Sequence, residues 1–293
     1  MSQFVMFDNS AVNHLFGQLE AIDEPMRFAI VSRMNELVDS GRAVVILNLA
    51  ILGEVAGIYF AKGGKNRDRF KQAADFLFKT CRGRLMLPLD QDGLKLRFAL
   101  ERDARGKAGE PIFYRSNDRK VRWICDAFLN GKHDALDEIA AQARDRKKVF
   151  ASAEQARLKH FESLGGQWAN EFIGWEEDPQ SVIDEWTLYE MRRSPRYYTL
   201  PKNPASWPTP RAFVSLWYAR AYHAARLREI GNGFKNDDPG DLYDSIYFQD
   251  SAYADILVTA DDGIIRRANS VRVTLPRVLR PLEWAREILD ARI

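Results

Sequence analysis

The sequence predicts an α/β protein, with a central parallel sheet and a long, mainly helical segment inserted into it. Three observations predict it. Short continuous apolar runs, Phe4-Val5-Met6-Phe7 and Ile256-Leu257-Val258 among them, have the length and texture of strands buried on both faces. Segments of helical periodicity follow them, and strands that alternate with helices imply parallel pairing through right-handed crossovers. The alternation fills both ends of the chain and stops in the middle, where the texture becomes helical and aromatic.

In order, Phe4 to Phe7 is the first strand, and Asp8-Asn9-Ser10 caps a following helix. Ala21 to Val38 repeats apolar residues at helical spacing through Phe28, Ile30, Val31, Met34 and Leu37, and Gly41 stops it. Val44 to Leu47 is the second strand. A helix from about Ala50 carries Glu54, Phe70 to Cys81 is helical, and Arg84 to Pro88 is a third strand. After the middle segment, Asp241 to Tyr253 is a helix, Ile256 to Thr259 a strand and Gly263 to Ala268 a short helix. Val271 to Leu275 is a further strand and Leu282 to Ala291 the closing helix. The chain divides into a core, 1–106 with 236–293, and an insertion, 107–235, with loops at Leu164-Gly165-Gly166 and Pro201 to Pro210.

With 293 residues, 46% of them hydrophobic, the chain can bury a large core, and disorder is excluded as the default. The 43 Lys+Arg against 41 Asp+Glu give a net charge of +2, so bulk charge does not announce a nucleic-acid binder. The insertion is more basic, with 21 Lys+Arg against 17 Asp+Glu, and holds six of the seven Trp. Cys81 and Cys125 are too few for a disulfide framework or a four-cysteine zinc site. The four histidines form no spaced ligand pair. Few cysteines and an N-terminus without a signal-peptide pattern lead us to expect a cytoplasmic protein. The apolar stretch Ala43 to Ala61 is interrupted by Asn48 and Glu54, and a buried strand followed by a buried helix accounts for it better than a membrane span.

Local charge is the sharpest signal. Asn236 to Asp262 holds eight carboxylates and no Lys or Arg, yet it includes the buried-looking runs Ser245-Ile246-Tyr247-Phe248 and Ile256-Leu257-Val258. Acids set among core elements repel one another unless a cation joins them. Mg2+ or Mn2+ suits carboxylate oxygens. Asp241 and Asp244 share a helix face, whereas Asp250 points elsewhere. Asp8 and Asp261 follow strands, and ligands of an open parallel sheet bind beyond the carboxyl ends of its strands. Asp8 and Asp261 can therefore meet there, with Glu54 and Asp244 leaning in.

These residues resemble the PIN domain, a family of metal-dependent nucleases. Phe4 to Val12 (FVMFDNSAV) resembles its first strand and first Asp, with a hydroxyl two residues on at Ser10. Ile51 to Val55 (ILGEV) resembles the helix bearing its second acid, and Leu85 to Leu100 the strand and helix before the third. Asp241 to Asp262 (DLYDSIYFQDSAYADILVTADD) resembles the third acid, the strand and the Thr-x-Asp signature, and Val271 to Leu282 the closing strand and turn. The resemblance covers about residues 1–105 and 236–293; the insertion has no counterpart in a minimal PIN domain. It implies a PIN-like three-layer α/β/α fold and a hydrolase, a ribonuclease cleaving RNA with a metal-activated water. Asp8, Glu54, Asp244 and Asp261 are then catalytic and bind the metal, with Asp241 as an alternative or additional third acid. Ser10 and Thr259 stand behind these ligands. RNA is the implied partner; a homodimer and an antitoxin protein are further partners of such a reading, and no membrane is.

Each residue has a plainer reading. Asp8 caps a helix, Glu54 pairs with a distant Arg, Asp241 favours a helix dipole, and Ser10 and Thr259 are caps. Asp262 is a turn residue and Asp255 a structural one. In the insertion, Arg192, Arg193 and Arg196 are phosphate contacts or a solvated face, as are Arg144 to Lys148 and Lys65, Arg67, Arg69 and Lys71. The helix Arg211 to Ile230, with Phe213, Trp217, Tyr218 and Tyr222, is an insertion core rather than a base-stacking platform. The alternative to catalysis is a PIN-like RNA- or protein-binding module, as in a toxin–antitoxin or defence system. Aspartyl-phosphate chemistry of the haloacid-dehalogenase kind needs an Asp where Ser10 stands.

Overall fold

The structure is a computed structural model. It describes residues 2–18, 22–61, 64–86, 113, 118–163, 218, 221–222, 225–226, 229, 241–270 and 276–290. Four parallel strands form the sheet: β1 (Gln3–Phe7), β2 (Ala43–Ile46), β3 (Ile256–Val258) and β4 (Arg277–Leu279), in the order β2-β1-β3-β4. The two ends of the chain thus share one sheet, with Val5 opposite both Val45 and Ile256. Successive residues of a strand face opposite sides. Val5, Met6 and Phe7 are all buried, as are all of β2 and β3, so the sheet is covered on both faces. Phe7 meets Phe76 and Trp284 edge-on, at 5.5 and 4.9 Å between ring centroids.

The helices are α1 (Asn9–Asn13), continued by an irregular turn His14–Gln18, α2 (Glu24–Asp39), α3 (Leu49–Phe60) and α4 (Gly64–Cys81). Next are α5 (Arg119–Leu129) and α6 (His133–Ser163). The last are α7 (Asp241–Asp250), extended by a 3-10 turn Ser251–Tyr253, α8 (Asp262–Ser270) and α9 (Pro281–Asp290). Their starts are chemically marked: Asp8, Asp23, Asn48 and Asp118 each accept a hydrogen bond from a first-turn amide. Gly41, at φ +69°, ends α2 in a conformation that suits glycine.

Two expected strands lie partly or wholly outside the described residues. Of the expected third strand, Arg84 to Pro88, Leu85 bridges Leu47 in parallel and Met86 bridges Phe113, and residues 87–88 lie outside the described residues. The expected strand Val271 to Leu275 lies outside the described residues, and β4 forms at Arg277–Leu279. The apolar stretch Ala43 to Ala61 divides into β2 and α3. Among the described residues no helix is long and apolar enough to cross a membrane.

The described parts of 107–235 pack into the same hydrophobic cluster as the sheet. Phe128 of α5 stacks on Phe70 at 5.7 Å, and Tyr218 and Tyr222 lie 5.7 and 5.4 Å from Phe248. These two tyrosines are core, as the plainer reading has it, and Trp217 and Phe213 lie outside the described residues. Helices α3 and α6 approach closely at one point. A Cβ added to Gly53 would stand 2.3 Å from the Cβ of Ala143.

Gly53→Ala should therefore cost roughly 1–3 kcal/mol through overpacking. Gly57→Ala, one turn along the same helix, meets nothing within 4 Å and should be neutral or stabilising by up to about 1 kcal/mol. Urea denaturation of the two variants checks this; equal effects would mean that α6 is not seated on Gly53.

Candidate functional site

Asp8 is the first residue beyond β1 and Thr259 the first beyond β3, so the parallel pairing of these strands sets them side by side. Asp8 donates its own amide to the carbonyl of Val258, which carries the ladder one residue further. Its side chain, 3% exposed, accepts from Thr259 Oγ1 at 2.5 Å and from the Ala11 amide at 2.7 Å. Ser10 Oγ donates at 2.8 Å to both carboxylate oxygens. Ser10 in turn accepts from the Ala260 amide at 2.8 Å, and Thr259 Oγ1 accepts from the Asp261 amide at 3.0 Å. Both hydroxyls thus donate to Asp8 and accept from backbone amides of the turn after β3.

Asp261 caps α8, accepting from the Ile264 amide on Oδ1 at 2.9 Å. Its Oδ2 has no hydrogen-bond partner among the described residues. Gly263 lets this loop close: a Cβ there would lie 2.9 Å from Asp261 Oδ1 and 3.4 Å from a guanidinium nitrogen of Arg267. Burial pushes the Asp8 carboxyl up to about 7. The hydrogen bonds from Thr259, Ala11 and Ser10 pull it down and the negative charge of Asp261 adds to the rise, but loss of water outweighs the rest.

Asp8 and Asp261 are brought together as expected, but the larger set is not. Among the described residues no three His, Cys, Asp or Glu side chains are grouped to hold a metal ion. Glu54, expected to lean in, is engaged elsewhere: Lys147 Nζ holds Oε1 and the Tyr247 hydroxyl donates to Oε2. A distant cation does pair with Glu54, and it is Lys147, 93 residues away, rather than an Arg. Asp244 is half-buried on α7, three residues before Tyr247. Asp241 opens α7, and its side chain lies outside the described residues.

Other acids of the run have local partners. Asp250 is buried and accepts from Asn48 Nδ2 at 3.0 Å, which fixes the residue that caps α3. Asp255 accepts from the Phe4 amide at 2.8 Å, and Asp262 pairs with Arg280 at 2.6 Å. Arg192, Arg193 and Arg196 lie outside the described residues. Of the nearer bases, Arg67 lies over the Tyr59 ring at 5.6 Å, and Arg144 and Lys148 pair with Asp137 and Asp145 on their own helix.

Sequence reasoning missed Lys147 and Tyr247. Tyr247 was visible as a polar tip in the apolar run of α7; nothing in the sequence joins Lys147 to Glu54. It also missed a partly buried cluster against α8. There Glu229 meets Arg266 at 2.6 Å and Arg267 at 3.0 Å, and Arg267 also donates to the Tyr222 hydroxyl. Burial pushes the Glu229 carboxyl up, but Arg266 and Arg267 outweigh it and hold it below the usual range.

No family model matches the sequence, and no curated protein or solved structure matches it.

The Asp8 shift makes a pH prediction. The folded group keeps its proton to about pH 7, against an ordinary value of 3.8, so the folded state binds more protons across that interval. Its contribution to stability falls as pH rises from about 4 to about 7, by up to about 4 kcal/mol, and stays low above that. In EDTA, urea denaturation should show Asp8→Asn gaining on the wild type as pH rises through this window. A constant difference from pH 4 to pH 8 would mean that Asp8 is ionised throughout.

Proposed function

We propose that this chain is a PIN-like, metal-dependent phosphodiesterase that hydrolyses RNA. One observation carries the reading: two carboxylates, Asp8 and Asp261, stand together beyond the carboxyl ends of adjacent parallel strands, interlocked by Ser10 and Thr259. The preference for RNA and the three-layer PIN-like assignment come from the resemblance of the sequence. A cytoplasmic location belongs to the same proposal.

The donor set suits a hard divalent cation. It offers carboxylate oxygens with no sulfur or imidazole among them, an Asp261 oxygen free of hydrogen bonds, and a buried Asp8 that lacks a counter-charge. Asp8 and Asp261 would hold Mg2+ or Mn2+, with Asp244 or Asp241 as the further acid that the resemblance implies; Glu54 is engaged by Lys147 and Tyr247. Such an ion supplies a water of lowered pKa and positive charge against the phosphate. The chain's own contribution is orientation. Thr259 and Ser10 fix the plane of the Asp8 carboxylate. The Ile264 amide holds Oδ1 of Asp261 and leaves Oδ2 to face a ligand.

A second reading, a non-catalytic RNA- or protein-binding module, is favoured by the capture of both Glu54 oxygens and by the lack of a three-residue cluster among the described residues. Purified protein incubated with single-stranded RNA separates the two. Cleavage in Mn2+ or Mg2+, abolished by EDTA and reduced about a hundredfold or more by Asp261→Asn, is expected. RNA retention without cleavage would establish the second reading, and cleavage undiminished in EDTA would rule out the metal.

A further inference from the structure

Cys81 closes α4 and Cys125 lies midway along α5, and both are free thiols. His133, which opens α6 just after α5, lies against Phe60, the last residue of α3 before α4, at 5.1 Å between ring centroids. The end of α5 therefore sits at the start of α4, and the two helices run antiparallel. Phe128 of α5 lies on Phe70 and Phe78 of α4 at 5.7 and 5.1 Å, which marks the facing sides. Cys81 comes three residues after Phe78 and Cys125 three before Phe128, so each shares a helix face with a ring of that contact. In an antiparallel pair these two steps run in the same direction and by the same length, about 4.5 Å. The thiols thus come to one level of the interface. Helix axes roughly 8–10 Å apart, with Cα atoms about 2.3 Å from each axis, leave facing Cα atoms roughly 4–6 Å apart, which a disulfide spans. The two thiols also feel each other: burial pushes Cys81 up to about 12, and the charge of Cys125 adds to that rise.

We propose that Cys81 and Cys125 form a two-thiol redox site, closed to a disulfide by a low-molecular-weight disulfide, that ties α4 to α5. Cys125 is half-buried and meets the reagent first, whereas Cys81 is 1% exposed. The Cys125 thiolate attacks one sulfur of the reagent, and the other sulfur leaves and takes up the proton. Cys81 then attacks the Cys125 sulfur of the mixed disulfide and expels the second reagent thiol, which takes the Cys81 proton. Two protein thiols are oxidised and one disulfide is reduced to two thiols. Cys81 gives up little, since its Sγ donates only a long bond of 3.8 Å to the Phe78 carbonyl. Burial raises Cys125 as well, so closure is slow at neutral pH. In a reducing compartment the pair stays open, and it closes under oxidation. The cross-link would fix a helix of 107–235 to a helix of 1–106, and it needs neither a metal nor the acidic site.

The test treats the folded full chain with oxidised glutathione and maps its peptides by mass without reduction. A Cys81–Cys125 peptide pair, lighter by two hydrogens than the two thiol peptides, is expected. The melting temperature should rise by about 10 °C and return on reduction with dithiothreitol. Cys125→Ser and Cys81→Ala should each abolish both effects. Glutathione retained on Cys125 with Cys81 still a thiol would show that the sulfurs do not reach each other, and would overturn the pair. A cross-link that forms only in urea would overturn it too, because the unfolded chain rather than the helix interface would then have made it. The peptide map of the wild type decides the matter even if a variant fails to fold.

Discussion

When β1 pairs with β3, the carboxylate of Asp8 leaves water, and part of what replaces that water comes from the far end of the chain. Thr259 donates to it from 251 residues away, and Ser10 binds both the carboxylate and the Ala260 amide. A buried charge of this kind is tolerated only where donors surround it. The sheet order therefore does more than bury Val5, Met6 and Phe7: it brings the Thr259 hydroxyl to Asp8, beside the local donors Ser10 and Ala11. The acidic site and the closure of the fold are one event. Asp255 strengthens it from the other end of the same strand pair by accepting from the Phe4 amide.

A second constraint ties the middle of the chain to this frame. Gly53 and Ala143 allow α3 and α6 to approach more closely than any larger residue would permit. That approach brings a cation from the basic stretch Arg144 to Lys148 onto the one carboxylate of α3. On the opposite flank, Glu229 joins Arg266 and Arg267 of α8, whose start Asp261 caps. Segments that read as an insertion in the sequence thus reach both of the helices that carry the outer acids.

Features with short-range causes were legible in the sequence. The strands Phe4 to Phe7 and Ile256 to Val258, the stop at Gly41 and the caps at Asp8 and Asn48 follow from neighbours within a few residues. So does the placing of Asp8 and Asp261 at strand ends, and with it their meeting. The fate of Glu54 was not legible, because it depends on a helix register set by Gly53 and on a lysine 93 residues on. Asp250 shows the same limit from the other side. Its phase on α7 correctly turns it away from Asp241, but only the packed structure supplies Asn48 as the partner that makes its burial tolerable.

The distribution of the acidic run bears on where a cation would act. Its eight carboxylates suggested one cluster, but the fold disperses them. Asp250 is satisfied by an amide side chain, Asp255 by a backbone amide and Asp262 by Arg280. Each of these has found a donor that leaves little need for an ion. At Asp8 and Asp261 the donors are likewise neutral hydroxyls and amides, and what sets this pair apart is that the charge of Asp261 adds to the rise in the proton affinity of Asp8. At Glu54 an ammonium and a phenol take the two oxygens instead. The acids at the strand ends and the acid of α3 are thus held by different chemistry, and the second has a counter-charge beside it.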